Sequence, residues 1–93
     1  MRESMIEREL VKQVKQRNGM ALKFVSPGFD GVPDRIVLLP DHNMVFVELK
    51  APGKKMRPLQ VKRKCQLELL GFKVYCIDSK EGIEVMLREI YTT

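Results

Sequence analysis

The stretch GVPDRIVLLPDHNMVFVELKAPGKK, residues 31–55, contains two short apolar runs with charged residues at their ends. Residues 35–39 and 44–50 have the length and the β-branched composition of strands. The segment Pro40-Asp41-His42-Asn43 between them is typical of a turn, because Asp and Asn side chains bond their own backbone. So short a connection predicts an antiparallel hairpin.

Three charged residues stand at the ends of these two strands. Asp34 precedes the first strand, whereas Glu48 and Lys50 end the second. Side chains alternate across a strand, so Glu48 and Lys50 point to the same face. The hairpin brings the start of the first strand beside the end of the second. We therefore expect Asp34, Glu48 and Lys50 to cluster at one end of a sheet.

Further elements are expected on both sides of the hairpin. Apolar residues at helical spacing predict a helix over residues 3–17, and a short strand follows at 21–25. A second helix over 58–70 begins with a proline, a fourth strand covers 73–77, and Ser79 is suited to cap a last helix. This order predicts an α/β fold with a mixed sheet flanked by helices.

Length and charge limit the class of protein. The 93 residues fit a single domain spanning residues 1–93, and the net charge of +5 favours a polyanionic partner, although a solvated basic surface has the same composition.

No apolar run has the length of a membrane span, and no signal peptide is visible. Cys65 and Cys76 lie within apolar patterns, so we expect reduced core thiols in a cytoplasmic protein.

Two carboxylates beside a lysine suggest a reaction. Neighbouring carboxylates repel each other, which favours proton uptake or a bound cation, and hard oxygen ligands select Mg²⁺ or Mn²⁺. Such a metal polarises a phosphoryl oxygen and lowers the pKa of a bound water, which is the chemistry of phosphodiester hydrolysis. Lys50 would orient or deprotonate that water, or stabilise the developing charge. Taken singly, each of these residues also has an ordinary structural explanation, as a turn residue or a surface ion pair.

Other polar residues extend this hypothesis. Glu7 lies on or beside the apolar stripe of the first helix, from where it would reach the metal directly or through water. Gln60, in the first turn of the second long helix, would bond a phosphate or the lysine, or is a plain surface residue. Six basic residues follow the acid–x–lysine motif and suit contacts with DNA phosphates, although about half of them are expected only to face solvent. They are Lys54, Lys55, Arg57, Lys62, Arg63 and Lys64.

The motifs resemble a known nuclease family. Asp34 with Glu48-Leu49-Lys50 is similar to the PD-(D/E)xK motif, and "SPGFDGVPDRIVLLP", "FVELKAPG" and "PLQ" resemble the VRR-NUC family, the virus-type replication-repair nucleases. The resemblance extends over nearly the whole chain and implies a restriction-endonuclease-like core. It implies that metal ligands are Asp34, Glu48 and the main-chain carbonyl of Leu49.

The resemblance also implies roles for other residues and for a partner copy. Lys50 would be the catalytic lysine, and Glu7 and Gln60 match an acid and a glutamine of the family. Several relatives have a tyrosine where this chain has Lys64, so the contact made there is open. Single-domain members resemble Holliday-junction resolvases, which implies a homodimer that cuts branched DNA. A nonspecific or flap-cutting nuclease and a non-catalytic nucleic-acid-binding module remain alternatives.

Overall fold

The computed structural model describes residues 1–91 and has the expected order of elements. Three helices surround a four-stranded sheet. In chain order the elements are α1 (Glu3–Gln16), β1 (Met20–Lys23), β2 (Arg35–Leu39), β3 (Asn43–Leu49), α2 (Pro58–Leu69), β4 (Lys73–Ile77) and α3 (Lys80–Tyr91). The predicted α/β class is confirmed, and the predicted boundaries differ from these by two residues at most.

The sheet has the strand order β1-β2-β3-β4 and is mixed. The β2–β3 pair is the expected antiparallel hairpin, in which Leu39 pairs with Asn43 and Arg35 with Val47. Asp41 and His42 in its turn have φ values of 65° and 63°, in the left-handed region that Asp and His tolerate better than most residues. In contrast, β3 and β4 are parallel, so α2 must cross over between them.

One face of the sheet, here called the core face, carries the main hydrophobic core. The odd-numbered residues of β2 and β3 point to it and pack against the apolar stripes of α1 and α3. Its fully buried side chains include Ile6, Leu10, Val37, Val47 and Leu87. This two-layer packing fixes the platform on which the hairpin lies.

The opposite face, here called the site face, carries the even-numbered residues of β2 and β3 and also Val74 and Cys76 of β4. The helix α2 lies over it on the β4 side. Among the twelve residues of α2 only Gln60 is buried, so this helix is a light cover.

The expectation that both cysteines belong to the core is wrong. Cys65 and Cys76 are free thiols and both are exposed. Cys65 lies on the lightly packed α2, and Cys76 lies on the site face, which α2 covers incompletely. In the part of the chain that the structure describes, no helix is long and apolar enough to span a membrane.

Candidate active site

Asp34 is held at the entrance to β2 by contacts on both sides. Its main-chain carbonyl accepts a hydrogen bond from the Phe24 N–H at 2.9 Å, which extends the pairing of β1 and β2. Its carboxylate oxygen Oδ2 accepts a hydrogen bond from the Leu49 N–H at 2.8 Å. The carboxylate of Asp34 is therefore fixed against the last residue of β3.

The loop before Asp34 is packed tightly against α2. Gly31 has a φ of +88°, and a Cβ atom there would lie 2.7 Å from Cγ of Leu59. Only glycine can adopt this positive φ and also leave room for the Leu59 side chain without strain. The position of Asp34 thus depends on a close approach between its loop and the start of α2.

Glu48 lies opposite Asp34 when the hairpin register is continued by one pair. Glu48 is 1% exposed, and its Oε2 atom lies 3.2 Å from Nζ of Lys50. Its Oε1 atom is buried and has no hydrogen-bond partner within residues 1–91. A buried carboxylate oxygen without a partner costs free energy, so this atom marks a place suited to a cation or a proton.

The pKa of Glu48 reflects this environment. Burial is the largest cause and the negative charge of Asp34 is the next, and together they raise the pKa of Glu48 to about 7, although Lys50 acts in the opposite direction. Glu48 therefore titrates near neutral pH. The expected cluster of Asp34, Glu48 and Lys50 does form, and the two carboxylates do repel each other.

Glu7 forms an ion pair with Arg35. Its Oε2 atom lies 2.9 Å from Nη2 of Arg35 and accepts a hydrogen bond from Nε at 3.0 Å. Arg35 also donates to the carbonyl of Ala21 at 2.8 Å and pairs in register with Val47 on the core face. Glu7 thus joins α1 to β2 directly after Asp34, and its role as a metal ligand stays a prediction.

Gln60 has a structural contact at the start of α2. Its Oε1 atom accepts a hydrogen bond from the Arg57 N–H at 2.9 Å, which satisfies one of the backbone donors that begin the helix. Its side chain is buried, which excludes the interpretation as a plain surface glutamine.

The six basic residues fall into two groups. Four are exposed, and the other two have intramolecular partners. Arg63 donates to the carbonyl of Asp30 at 2.7 Å and lies 3.7 Å above the ring of Phe29, whereas Lys64 lies 4.0 Å from Glu68. The exposed residues are Lys54, Lys55, Arg57 and Lys62. Arg63 therefore attaches the loop before Asp34 to α2.

Two residues of this region were not singled out from the sequence. Arg35 looked like an ordinary strand residue, and Asp78 like a linker between β4 and α3. Asp78 accepts a hydrogen bond from the Gly53 N–H at 3.1 Å. Only the parallel pairing of β3 with β4 brings Asp78 beside Lys50, and no local pattern in the sequence signals that pairing.

The oxygen atoms at this end of the sheet fit a hard divalent cation. Asp34 and Glu48 supply two carboxylates, and the partnerless Oε1 of Glu48 is an available ligand atom. Within residues 1–91 no group of three His, Cys, Asp or Glu side chains forms a cage for a metal. Magnesium usually keeps several waters and binds through only one or two carboxylates, so a pair of acids suits it.

Comparison with known proteins places the chain in a family. No family model matches it. Over 81 residues, which are 87% of each protein, it is 48% identical to "Putative nuclease p44" of Acyrthosiphon pisum secondary endosymbiont phage 1. The chain belongs to the same nuclease family as this phage protein. A solved "VRR_NUC domain" superposes with a TM-score of 0.89, over 96% of this chain and 97% of that one, at 23% identity.

These findings confirm the family resemblance and the restriction-endonuclease-like fold. The chain thus has the VRR-NUC fold. In this chain Asp34 directly precedes β2, Glu48 lies near the end of β3, and α2 follows Lys50.

The raised pKa of Glu48 predicts a particular dependence of stability on pH. Folded Glu48 binds its proton more tightly than unfolded Glu48, whose pKa is 4.5, so without metal the free energy of unfolding should fall as the pH rises from 4.5 to 7. The expected loss is on the order of 1–3 kcal/mol. Chemical denaturation of the wild type and of Glu48→Gln in EDTA, between pH 5 and pH 8, measures it.

Glu48→Gln should lose this part of the slope and be more stable than the wild type at pH 8. Glu84→Gln is the matched control, since Glu84 is exposed on α3 and should leave the slope unchanged. Equal slopes in the wild type and in Glu48→Gln would contradict the assignment.

Proposed function

We propose that this protein is an endonuclease that hydrolyses phosphodiester bonds in DNA and depends on Mg²⁺ or Mn²⁺. The observation that carries the proposal is the buried, partnerless Oε1 of Glu48 beside the carboxylate of Asp34. Lys50 lies 3.2 Å from Glu48, and a loop with exposed lysines follows it. A cation ligand pair, a positive charge and a phosphate-binding loop are the parts that such a reaction needs.

The metal would be held by Asp34, Glu48 and the main-chain carbonyl of Leu49, with Glu7 as a further ligand directly or through water. When bound, it would polarise the phosphoryl oxygen and lower the pKa of a water. The hydrogen bond from the Leu49 N–H keeps one oxygen of Asp34 fixed, so the two carboxylates need little rearrangement.

Lys50 has two tasks in this scheme. Its ammonium group lies 3.2 Å from Oε2 of Glu48 and neutralises part of its negative charge, and it would also approach the scissile phosphate. There it would orient the attacking water and stabilise the charge that develops on the phosphate oxygens. Gln60 supports the site through the start of α2, whose Arg57 amide it caps.

Lys54, Lys55, Arg57 and Lys62 are the residues available for DNA phosphates, since each is exposed. Such contacts give affinity without sequence information. Arg63 and Lys64 would contact DNA only by leaving their present partners, Asp30 and Glu68. The cytoplasm of a bacterium or of a phage-infected host is the compartment in which such an enzyme would meet its DNA.

A non-catalytic nucleic-acid-binding module is the alternative from another class. Pure binding gains nothing from two carboxylates that repel phosphates. In such a module, nothing would offset the free energy needed to bury Glu48. Removing a carboxylate therefore distinguishes the two functions.

Asp34→Asn should slow cleavage of DNA in Mg²⁺ at least about a hundredfold, because a ligand of the metal is lost. DNA binding should be kept or tightened, because a charge that repels phosphate is removed. Asparagine can still accept the Leu49 N–H, so folding should be preserved. Gel assays of cleavage and of binding measure the two effects. Glu84→Gln also removes one negative charge, but from an exposed side chain far from the hairpin, so it should cut at the wild-type rate. Normal cleavage by Asp34→Asn would reject the catalytic assignment.

Branched DNA of the Holliday-junction type is the proposed substrate, with nonspecific and flap cutting as the alternatives. Selectivity predicts that a four-way junction is cut at least about tenfold faster than a flap or a linear duplex of the same sequence. Single-turnover cleavage of the three DNAs in Mg²⁺ measures the ratio. Equal rates on all three would reject structure selectivity.

We also propose a homodimer, in which each copy cuts one strand. The sheet supports it, because Met20 and Leu22 on the β1 side of the site face remain exposed beyond the reach of α2. On the same face an apolar trough of about 320 Å³ lies between α2 and the loop before Asp34, and its apolar lining includes Phe24, Phe29 and Leu70.

The charge of this surface favours a second copy over DNA. Arg63 is the one charged side chain lining the trough in the described residues, and it already has partners in Asp30 and Phe29. Two copies of a chain with net charge +5 can approach at low electrostatic cost only through a nearly neutral surface. The apolar stripe of α3 is buried in the core and is not available to a second copy.

We therefore expect the wild type to have twice the chain mass of 10.8 kDa and Leu70→Glu to have the mass of a monomer. Leu70 is 73% exposed, so the charge should not disturb folding. Sedimentation equilibrium measures the mass, with Val85→Glu on the opposite side of the molecule as the control that stays dimeric. A monomeric wild type, or a dimer in both variants, would contradict this surface.

A further inference from the structure

Asp78 joins two parts of the molecule that are 25 residues apart in sequence. Its Oδ2 atom accepts a hydrogen bond from the Gly53 N–H at 3.1 Å. Gly53 lies in the loop of residues 51–57, here called the basic loop, which carries Lys54 and Lys55. The side chain of Asp78 thus attaches the basic loop to the end of β4.

The end of β4, to which Asp78 attaches the basic loop, is held firmly. The Lys50 N–H donates to the carbonyl of Ile77 at 2.9 Å, which continues the β3–β4 pairing up to Asp78. On the other side of Asp78, the hydroxyl of Ser79 accepts a hydrogen bond from the Gly82 N–H at 3.0 Å in the first turn of α3. Asp78 is therefore placed by a strand and a helix, which leave little freedom to its backbone.

The basic loop has a defined conformation at the point of attachment. Gly53 has a φ of +78°, in the left-handed region, and the Lys54 N–H donates to the carbonyl of Ala51 at 3.0 Å to close a turn. A turn held by one internal hydrogen bond is marginally stable in water, so the bond to Asp78 adds a second constraint. This constraint acts next to the two exposed lysines.

An acid at this position is unfavourable for DNA binding unless it does something else. The continued β3–β4 register places Asp78 beside Lys50, at the end of the sheet where the phosphates would dock. Its negative charge repels a phosphate there, and it partly cancels the charge of the lysines. The hydrogen bond to Gly53 is the gain that offsets this repulsion.

We propose that Asp78 is a positioning residue of the nuclease, which fixes the basic loop so that Lys54 and Lys55 meet the phosphates beside the scissile bond. This inference rests on the proposed function. Asp78 acts through the lysines and not on the reacting atoms. It therefore affects how DNA is bound and placed, and leaves the chemistry of the metal centre to Asp34, Glu48 and Lys50.

The experiment compares Asp78→Asn with Asp78→Ala. Asparagine keeps an oxygen that accepts the Gly53 N–H but removes the charge, whereas alanine removes both. Hydrogen exchange of the Gly53 amide, measured by NMR without DNA or metal, should be about fivefold faster in Asp78→Ala than in Asp78→Asn. Because both variants lack the charge, this difference isolates the hydrogen bond.

Steady-state cleavage separates positioning from a general loss of stability. The KM for DNA should be at least about threefold higher in Asp78→Ala than in Asp78→Asn, with kcat within about twofold. In a chain that also carries Lys54→Ala and Lys55→Ala, the two Asp78 variants should have the same KM, because Asp78 acts through those lysines. Glu81→Gln, which removes a carboxylate from the first turn of α3 without touching the loop, should behave as the wild type.

The outcomes are distinct. Equal Gly53 exchange in the alanine and asparagine variants would overturn the attachment, and a KM difference that persists without the two lysines would overturn their involvement. A lower kcat in both variants would instead assign Asp78 to the catalytic centre and also overturn the proposal. If the wild type cuts no DNA, the proposed function fails. The dissociation constant for DNA then replaces KM, and the exchange measurement still decides the attachment.

Discussion

The repulsion between two carboxylates at the end of a hairpin is the constraint on which the rest of this structure depends. The β2–β3 register sets Asp34 opposite Glu48, and the Leu49 N–H holds Asp34 in place. The hairpin pairing therefore keeps the two acids next to each other. Glu48 is also buried, so the free energy of its charged form is raised twice. A proton or a divalent cation would relieve this repulsion, and the neutralised site would let a DNA phosphate approach.

The two faces of the sheet have different roles. The core face packs against α1 and α3 and supplies the stability that a strained site needs, whereas the site face carries the charged residues and only a light cover. Arg35 and Glu7 join α1 to the sheet at the start of β2, since their ion pair fixes α1 against the strand that begins directly after Asp34. The position of α1 is thus coupled to the site even though its acid is bound to Arg35.

The sequence allowed the hairpin and the charged cluster to be predicted, because both depend on local rules. A short turn between two apolar runs sets the antiparallel pairing, and the period of two sets which side chains share a face. The exposure of Cys65 and Cys76 could not be predicted, because it depends on how little of the sheet α2 covers. The contacts of Arg63 with Asp30 and of Gly53 with Asp78 span 33 and 25 residues and arise only from the topology.

The most direct test of the account is to count the protons released when Mg²⁺ binds. Because the pKa of Glu48 is raised to about 7, part of Glu48 carries a proton near neutral pH in the free protein, and binding of the cation should expel it. Isothermal titration calorimetry in buffers of different ionisation enthalpy measures this number. The account predicts a measurable proton release for the wild type, which falls as the pH rises from 6 to 8, and none for Glu48→Gln. Binding of Mg²⁺ without proton release, or the same release from both proteins, would contradict it.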